Sequence, residues 1–300
     1  MANNQEKIQE ALTRIDTALE NINTDADWLA YLTFQSRFYN YSAGNILLIY
    51  AQKPQASFVK GYKAWNQLGR YVKKGAKGIC ILAPCIKKVE EFAEPENKAE
   101  YTRQEGEKVV YKKLVGFKTT YVFDIADTDG SDEHIPVLVR GLSGNSEEER
   151  QLYEKLKAVI STEHQVSEVT GTASKGSFNL ETGDIHVRSD LEYLQKIKTI
   201  LHEYGHAVDF KLHPDETIHR NRRELIAESV AYVVASRLGL DTSRYTMCYL
   251  KSWMTDKDEL KIVADAVQKV SAAIIKKLAE SSDSAFSILT ENNKEDSDNG

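Results

Sequence analysis

Residues 202–206 place two histidines four positions apart, with a glutamate directly after the first, in the pattern His-Glu-x-x-His. On a helix, positions i and i+4 lie on one face, so both imidazoles can reach the same metal ion. The intervening glutamate can then address a water bound to that ion as a general base. We therefore predict His202 and His206 as metal ligands and Glu203 as the catalytic base. The alternative is a chance match on an exposed helix.

A catalytic zinc site needs a third protein ligand and one open position. A third histidine six residues after the second is absent, because position 212 is a leucine. The following helix offers Glu224 and Glu228 instead, which lie four positions apart and share a face. One of them can bind the metal, while the other accepts the remaining N–H of a ligand histidine and fixes its orientation. Alternatively, the two glutamates lie on a solvent-exposed face of the helix, where their charges balance those of Arg222 and Arg223.

The helices that would carry these residues follow from apolar periodicity. Ser189 and Glu192 form a Ser-x-x-Glu capping pattern, which predicts a helix from there to about residue 210. A second helix is predicted from about 220 to 238, ending at Gly239. Small residues on the second helix would let it approach the first closely; these are Ala227, Ala231 and Ala235.

Other C-terminal elements frame this helix pair. A capping pattern at Ser146 and Glu149 opens a helix, and a β-hairpin is predicted over residues 177–187 around a glycine-containing turn. A last amphipathic helix runs from about 256 to 279. The tail from residue 281 is rich in Ser, Asn and Asp, which is typical of disorder.

The predicted secondary structure changes from helices to strands within the N-terminal part of the chain. Helices are predicted at 4–22, 25–39 and 43–52, with Pro54 closing the third. From about 56 to 124 the pattern is short β-type runs, most clearly Ile79–Leu82 and Lys118–Phe123. The polar run Glu90–Gln104 is predicted as a mobile loop. This part is therefore α+β.

The metal motif and the acidic helix together resemble gluzincins of the ImmA/IrrE type. In those proteins a Glu-x-x-Ala-(Asn/Glu)-x-x-Ala helix follows the His-Glu-x-x-His helix, and an edge-strand hairpin precedes it. The resemblance implies that Glu224 is the third ligand and that Glu228 stands behind a ligand histidine. It also implies one zinc ion per chain and the hydrolysis of a peptide bond.

The N-terminal half resembles the ArdC antirestriction family. The matching segments are residues 41–49, 52–56, 61–75 and 121–130, in the order of that family. The resemblance implies a single-stranded DNA-binding domain joined to a metallopeptidase-like domain, on plasmids and conjugative elements. The chain departs from the family at Tyr204-Gly205, where ArdC proteins usually carry bulky aliphatic residues.

We accordingly expect an α+β chain with N-terminal helices and a small β-sheet domain, followed by a mainly helical, zincin-like domain with a β-hairpin edge. The expected boundaries are an ArdC-like domain at 1–140, a linker at 141–149, a metallopeptidase domain at 150–280 and a disordered acidic tail at 281–300. The small polar residues of 141–147 favour the linker.

Charge is distributed unevenly along the chain. The net charge is −6, yet residues 60–118 hold 14 Lys and Arg against 7 Glu, which leaves −13 for the rest. Single-strand binding combines aromatic planes with cations along the phosphate path, and it is usually independent of sequence. The predicted contacts are Lys63, Trp65, Arg70, Lys73, Lys74 and Lys77. The alternative is that Trp65 belongs to the core and the lysines only solubilise the surface.

Composition narrows the class of protein and its expected location. No run of 18 apolar residues exists, so we expect no membrane span, and three cysteines suit a reducing compartment, which makes the cytoplasm the expected location. The predicted function is a zinc metallopeptidase with a single-stranded DNA-binding domain and a possible protein substrate. Two rivals stay open: a non-catalytic DNA-binding protein with a structural zinc, and a regulatory protease that cleaves a repressor. The oligomeric state is not predicted.

Overall fold

The computed structural model describes residues 4–92, 108–133, 135, 146–214, 220–243, 257–281, 286 and 289. Helices dominate these residues and the strands form small separate sheets, so the predicted α+β class is confirmed. Parts of the expected loop (93–104), linker (141–145) and tail lie outside the described residues.

The three predicted N-terminal helices are present as α1 (Asn4–Glu20), α2 (Asp25–Gln35) and α3 (Ala43–Gln52). A reciprocal cap starts α2, because the Thr24 side chain accepts the backbone N–H of Asp27 and the Asp27 carboxylate accepts that of Thr24. This helix ends at Gln35, earlier than the aromatic pattern suggested.

Two antiparallel sheets follow. Strands β1 (Val59–Gly61), β3 (Ile79–Phe92) and β4 (Lys108–Asp124) pair in the order β1-β4-β3, and β2 (Arg70–Val72) pairs with β5 (Thr128–Gly130). A short helix, α4 (Tyr62–Gln67), lies between β1 and β2. Residues 90–92 belong to β3, so the expected mobile loop does not begin at Glu90.

The outer edge of β3 is covered by amide side chains from α3. The Asn45 side chain accepts the Leu82 N–H and donates to the Leu82 carbonyl, both at 2.9 Å. Gln52 does the same for Cys80, at 3.0 and 2.8 Å. Because an open strand edge invites pairing with another chain, these bonds protect the part of β3 that lies beside α3.

The C-terminal half comprises α5 (Glu147–Ile160), β6 (Val166–Val169), β7 (Gly176–Phe178), β8 (Ile185–Arg188), α6 (Tyr193–Leu212), α7 (Arg220–Arg237) and α8 (Lys257–Glu280). The predicted hairpin is confirmed as the antiparallel pair β7–β8, and β6 adds in parallel on the other side of β8. The predicted helices around 220–238 and 256–279 are confirmed as α7 and α8.

One hydrophobic core runs through both halves of the chain. The buried Trp28 on α2 donates to Ser229 Oγ on α7 at 3.0 Å. On α8, the Gln268 amide accepts from Gln35 at 2.9 Å and donates to the Tyr39 carbonyl at 2.6 Å. The N-terminal helices thus pack directly on α7 and α8, so the division at 141–149 is not a division of the core.

Three local predictions are wrong. The Ser189 N–H bonds to the Val169 carbonyl and extends the sheet, so α6 begins at Tyr193, and its N-cap residue Glu192 makes no side-chain capping bond to the helix. Helix α5 begins at Glu147, which removes residues 147–149 from the expected linker, although its Ser146–Glu149 capping box is confirmed.

The third concerns the tail, where the prediction of disorder is wrong for two residues. Within the described part of the segment after residue 281, Phe286 and Leu289 are fully buried in the core. The Tyr39 hydroxyl also donates to the Leu289 carbonyl at 2.9 Å. Apolar side chains therefore anchor the start of a segment whose overall composition is polar. None of the described helices combines the length and apolar character that crossing a membrane requires.

Candidate metal centre

The His-Glu-x-x-His motif lies in the second half of α6. His202 and His206 project from one face of the helix, and their ring centroids are 4.8 Å apart. The side chains are mostly buried, with 17% and 13% exposed. Two imidazoles held in this way, partly shielded from water, can act as ligands to one ion.

Helix α7 brings Glu224 to the same point. Its Oε2 atom lies 3.4 Å from His202 Nε2 and 3.7 Å from His206 Nε2. Ligand atoms about 2.1 Å from a tetrahedral zinc ion are themselves about 3.4 Å apart. The three side chains, whose ligand atoms all lie within 4.8 Å of one another, therefore fit three corners of such a site.

The two helices cross closely because their contact positions are small. A methyl group at Gly205 would lie 3.5 Å from the Ala227 Cα atom and 3.4 Å from a Val230 methyl. Position 205 thus has room for little beyond a methyl group. The glycine that departs from the ArdC pattern therefore sits at the contact between α6 and α7.

Glu228 stands behind the first histidine. Its carboxylate lies 3.1 Å from His202 Nδ1 and 2.6 Å from Lys198 Nζ. Burial raises the pKa of Glu228, but the bonds from His202 and the charge of Lys198 outweigh it, so the pKa is lowered overall. The ionised carboxylate can hold a proton on Nδ1 and leave Nε2 to face Glu224 and the ion.

The same carboxylates control the protonation of the metal-free site. Burial lowers the pKa of His202, yet its hydrogen bonds to Glu224 and Glu228 raise that pKa to about 9. The bonds from His202 and His206 hold the pKa of Glu224 well below its usual range. Without a metal, a proton on the imidazole therefore takes the place of the cation.

Glu203 is buried between α6 and the edge strand β7. Burial raises the pKa of its carboxyl, against the opposing effect of the two histidines. A Cβ atom at Gly176 on β7 would lie 2.9 Å from Glu203 Oε1 and 2.6 Å from the Thr199 methyl. The backbone of β7 therefore packs against the carboxylate, and only glycine permits that approach.

These residues line one cleft, which we call the metal cleft. It has a volume of about 800 Å³, and its walls come from β7, α6 and the start of α7. Phe178, Leu180 and Phe210 give it an apolar side. Arg223 also lines it, with its guanidinium 3.7 Å from the Phe210 ring centroid and 3.3 Å from the buried Asp209 carboxylate.

The predicted nucleic-acid contacts are divided between surface and interior. Trp65 is fully buried and donates to the Phe123 carbonyl at 2.8 Å. Arg70 is 7% exposed and binds Thr128, Gly130, Ser131 and Asp132, which joins β2 to the region of β5. The interpretation of Trp65 and Arg70 as DNA contacts is therefore wrong, because their polar atoms are already used inside the protein.

The remaining predicted contacts are on the surface. Lys63, Lys73, Lys74 and Lys77 are all exposed. Lys73 is partly engaged, since its Nζ atom donates to the Ala126 carbonyl at 3.0 Å and lies 3.5 Å from Asp129. Exposed aromatic rings lie nearby, namely Tyr62 and Tyr71.

Two residues of the metal cleft were missed by sequence reasoning. Gly176 matters for the side chain that it lacks, and only its place at the start of the predicted hairpin pointed to it. Lys198 lies four positions before His202 on α6, so its i, i+4 spacing was a usable signal for a side chain on the same face.

Comparison with known proteins finds similarity in the N-terminal domain and in the fold. Residues 5–123 match the family model of the N-terminal domain of anti-restriction factor ArdC. An uncharacterized protein of Bacillus anthracis is 25% identical over 297 residues, which cover 89% of this chain and 50% of that protein. The chain thus spans about half the length of this curated relative.

Two crystal structures of the antirestriction ArdC protein from plasmid R388 share the fold at 19% identity. The metal-free form has a TM-score of 0.50, covering 90% of this chain and 96% of that one. The Mn(II)-bound form has a TM-score of 0.51, covering 91% and 98%.

Proposed function

We propose that this chain, of the ArdC type in its N-terminal domain and its fold, is a zinc-dependent peptidase whose N-terminal part binds single-stranded DNA without sequence preference. The observation that carries the peptidase proposal is the convergence of His202, His206 and Glu224, with ligand atoms within 4.8 Å of one another. Glu203 lies beside them, as a general base must.

The donor set supports a divalent metal ion. Two imidazoles and one carboxylate, with a fourth position open to the cleft, are typical of catalytic zinc sites. The Mn(II) ion named for the R388 protein supports divalent-ion binding at this fold, so manganese is the competing metal. A zinc ion bound here would polarise a peptide carbonyl and lower the pKa of a bound water.

The protein's own groups would then move the proton. Glu203 would accept it from the water and pass it to the leaving amine, and burial, which raises the pKa of this carboxyl, favours its holding the proton between the two transfers. Glu228 and Lys198 would keep the His202 ring in place. The edge strand β7 would lie along the substrate backbone, since it borders the metal cleft.

The DNA-binding proposal rests on the N-terminal domain. The family model that matches residues 5–123 is named for an anti-restriction factor, which supports a role in antirestriction on mobile elements. The exposed lysines at 73, 74 and 77 supply cations for phosphate contacts, which carry no sequence information.

The first test is the metal content of the purified protein by mass spectrometry, beside His202→Ala. We expect about one zinc per chain, lost in the variant. Zinc-loaded wild type and Glu203→Gln are then compared on a denatured protein substrate. The Gln variant should keep its metal and lose hydrolysis by at least a hundredfold, the usual contribution of a general base.

Each outcome separates the rival functions. Metal in both proteins at equal occupancy would contradict the ligand assignment. Manganese in place of zinc would correct the metal and leave the ligands. Full metal occupancy without any hydrolysis, together with binding of single strands, would favour the non-catalytic DNA-binding protein. Cleavage of a single cellular protein, without DNA affinity, would favour the regulatory protease.

A further inference from the structure

The hairpin of β3 and β4 extends past the part that α3 covers. Cys85 pairs with Gly116 and Ile86 pairs with Leu114, so Val115 is an extra residue that bulges at this point. We call residues 84–89 and 112–117 the β-arm. Most of its side chains are exposed on both strands.

The β-arm places like charges directly opposite each other. Lys87 pairs with Lys113, and Lys88 pairs with Lys112. Facing like charges destabilise a strand pair, whereas a lysine facing a glutamate would stabilise it. Among the residues that the structure describes, none of the four lysines forms an ion pair.

One face of the β-arm is also apolar. Because side chains alternate along a strand, the Ile86–Leu114 and Lys88–Lys112 pairs share a face, while Lys87 and Lys113 lie on the other. Ile86 and Leu114 are 49% and 54% exposed. Further along β4 come two rings that are about half exposed, Phe117 and Tyr121.

This face continues into the lysine turn before β3. A Cβ atom at Gly78 would lie 3.0 Å from Tyr121 Cβ, so the residue that follows Lys77 packs against that ring. Rings and apolar side chains therefore lead from this turn to the paired lysines. From Cys80, opposite Tyr121, to Lys88 the path measures roughly 26 Å, at about 3.3 Å per residue.

We propose that the β-arm, together with Tyr121 further along β4, binds a single-stranded nucleic acid, with Phe117 and Tyr121 stacking on bases and the four paired lysines contacting phosphates. Stacking planes beside cations are what a single strand requires, whereas a paired duplex keeps its base faces covered. An anionic partner also removes the Lys–Lys repulsion. Lysines on both faces do not suit a membrane surface, which favours one charged and one apolar face.

The proposal deepens the DNA-binding part of the proposed function and rests on it. The proposal puts the DNA contacts on the β-arm and not at the buried Trp65 and Arg70. The peptidase chemistry of the metal cleft is independent of it.

The test uses the full chain and a fluorescein-labelled oligothymidylate of about 20 nucleotides, followed by anisotropy over a range of salt. Three double variants each remove two positive charges: Lys88→Ala with Lys112→Ala, Lys87→Ala with Lys113→Ala, and the control Lys269→Ala with Lys276→Ala on α8. Each arm variant should reduce the salt slope by about 1.4, since each lost phosphate contact removes about 0.7 for single strands. The α8 control should match wild type.

A fourth variant tests stacking. Phe117→Ala keeps the charge and should weaken binding by roughly five- to 150-fold at constant salt slope. Thermal unfolding of every variant checks that the fold is retained, which the exposure of these positions favours. A labelled duplex of the same length should bind more weakly than the single strand and lose nothing in Phe117→Ala.

Three results would overturn the proposal that the β-arm binds a single-stranded nucleic acid. If wild type binds the single strand and the arm variants match the α8 control, DNA binding stands and its surface lies elsewhere. If the arm variants lose binding to phosphatidylserine vesicles but not to the oligonucleotide, the partner is a lipid surface. If wild type binds no oligonucleotide at any salt, the DNA-binding proposal falls together with the β-arm.

Discussion

The metal cleft and the β-arm use charge in opposite ways. In the metal cleft, Glu228 lies between His202 and Lys198, and Glu224 lies between two histidines. In the β-arm, lysine faces lysine on both faces of the hairpin, and the apolar side chains between them are exposed.

The difference follows from what each region must position. A metal site needs ligand atoms fixed to a few tenths of an ångström, so the protein itself supplies a partner for each charge and buries the set. A surface for a flexible polyanion needs cations that stay available, so the partner must come from outside. Paired, buried charge therefore marks the first kind of site, and exposed like charges on facing strands mark the second.

The largest effect that would sharpen this comparison is expected from Gly176→Ala in the metal cleft. The new methyl group would meet the Thr199 methyl at 2.6 Å and Glu203 Oε1 at 2.9 Å, so the catalytic carboxylate must move. A displacement of about 1 Å can lower a rate by about a hundredfold, and we expect a loss of that size in peptide hydrolysis.

Metal content should stay at wild-type level in this variant, because the three atoms nearest to the new group belong to Thr199, Glu203 and His186, none of which is a predicted ligand. The crowding should also lower the free energy of unfolding by about 1–3 kcal/mol, which chemical denaturation measures. Gly61→Ala on β1 makes the same change where the added Cβ atom would have no neighbour within 4 Å, and it is the matched control. Unchanged hydrolysis and unchanged stability in Gly176→Ala would contradict the close packing of β7 on Glu203.

The next effect is expected from Glu228→Gln. The amide can still accept the His202 N–H, but it loses the charge that stabilises that ring and pairs with Lys198. Removing such a supporting partner costs about 10- to 100-fold in metal affinity, which a chelator competition titration measures. Glu181→Gln, in the exposed β7–β8 turn, should leave the affinity unchanged. An equal affinity in all three proteins would mean that the carboxylate does not orient the histidine.

A third prediction concerns pH. In the metal-free protein the pKa of His202 is about 9, so below that pH the imidazole must release a proton before it can bind a metal. The pKa of Glu224 is lowered, so this ligand contributes no proton near neutral pH. Apparent metal affinity should therefore rise by about tenfold per pH unit from 7 towards 9 and then level off.

Calorimetry in buffers of different ionisation enthalpy would count the released protons, and we expect about one per metal at pH 7. The raised pKa of His202 also affects the stability of the metal-free protein. The bonds of protonated His202 stabilise the fold fully below its unfolded pKa near 6.5 and are lost as the pH rises through about 9. No proton release at pH 7 would show that His202 is already neutral there.

The sequence allowed the metal cleft to be predicted far better than the β-arm. His202, His206, Glu224 and Glu228 all sit on helices, where spacing along the chain translates directly into position on a face. The helices were equally readable, apart from their ends. Ser189 has the residue type and spacing of a helix N-cap, but its backbone N–H bonds to a carbonyl of the neighbouring sheet. Local pattern could not foresee a competing tertiary hydrogen bond.

Positions that depend on distant parts of the chain were not predictable in this way. Trp65 was predicted to stack on bases because local sequence does not reveal its burial. Its indole N–H bonds to the carbonyl of Phe123, which lies far along the chain. The like-charged pairs of the β-arm appear only once the register of β3 on β4 is known. Phe286 and Leu289 were hidden in a polar composition, although two apolar residues suffice to anchor a segment in the core.

The smallest expected effect would test the β-arm side of the comparison. Lys113→Glu turns the Lys87–Lys113 pair into a pair of opposite charges, which should raise the free energy of unfolding by roughly 0.2–1 kcal/mol. Lys269→Glu on α8 is the matched control with the opposite sign, because Lys269 already lies 2.7 Å from Asp265 at i, i+4 and the change creates repulsion. Chemical denaturation should therefore find the arm variant more stable than wild type and the α8 variant less stable.

The arm variant should also bind a single-stranded oligonucleotide more weakly than the α8 variant, at equal net charge. A destabilised Lys113→Glu would mean that the two facing lysines do not repel each other in the protein, and that the β-arm does not hold charge in reserve for a partner.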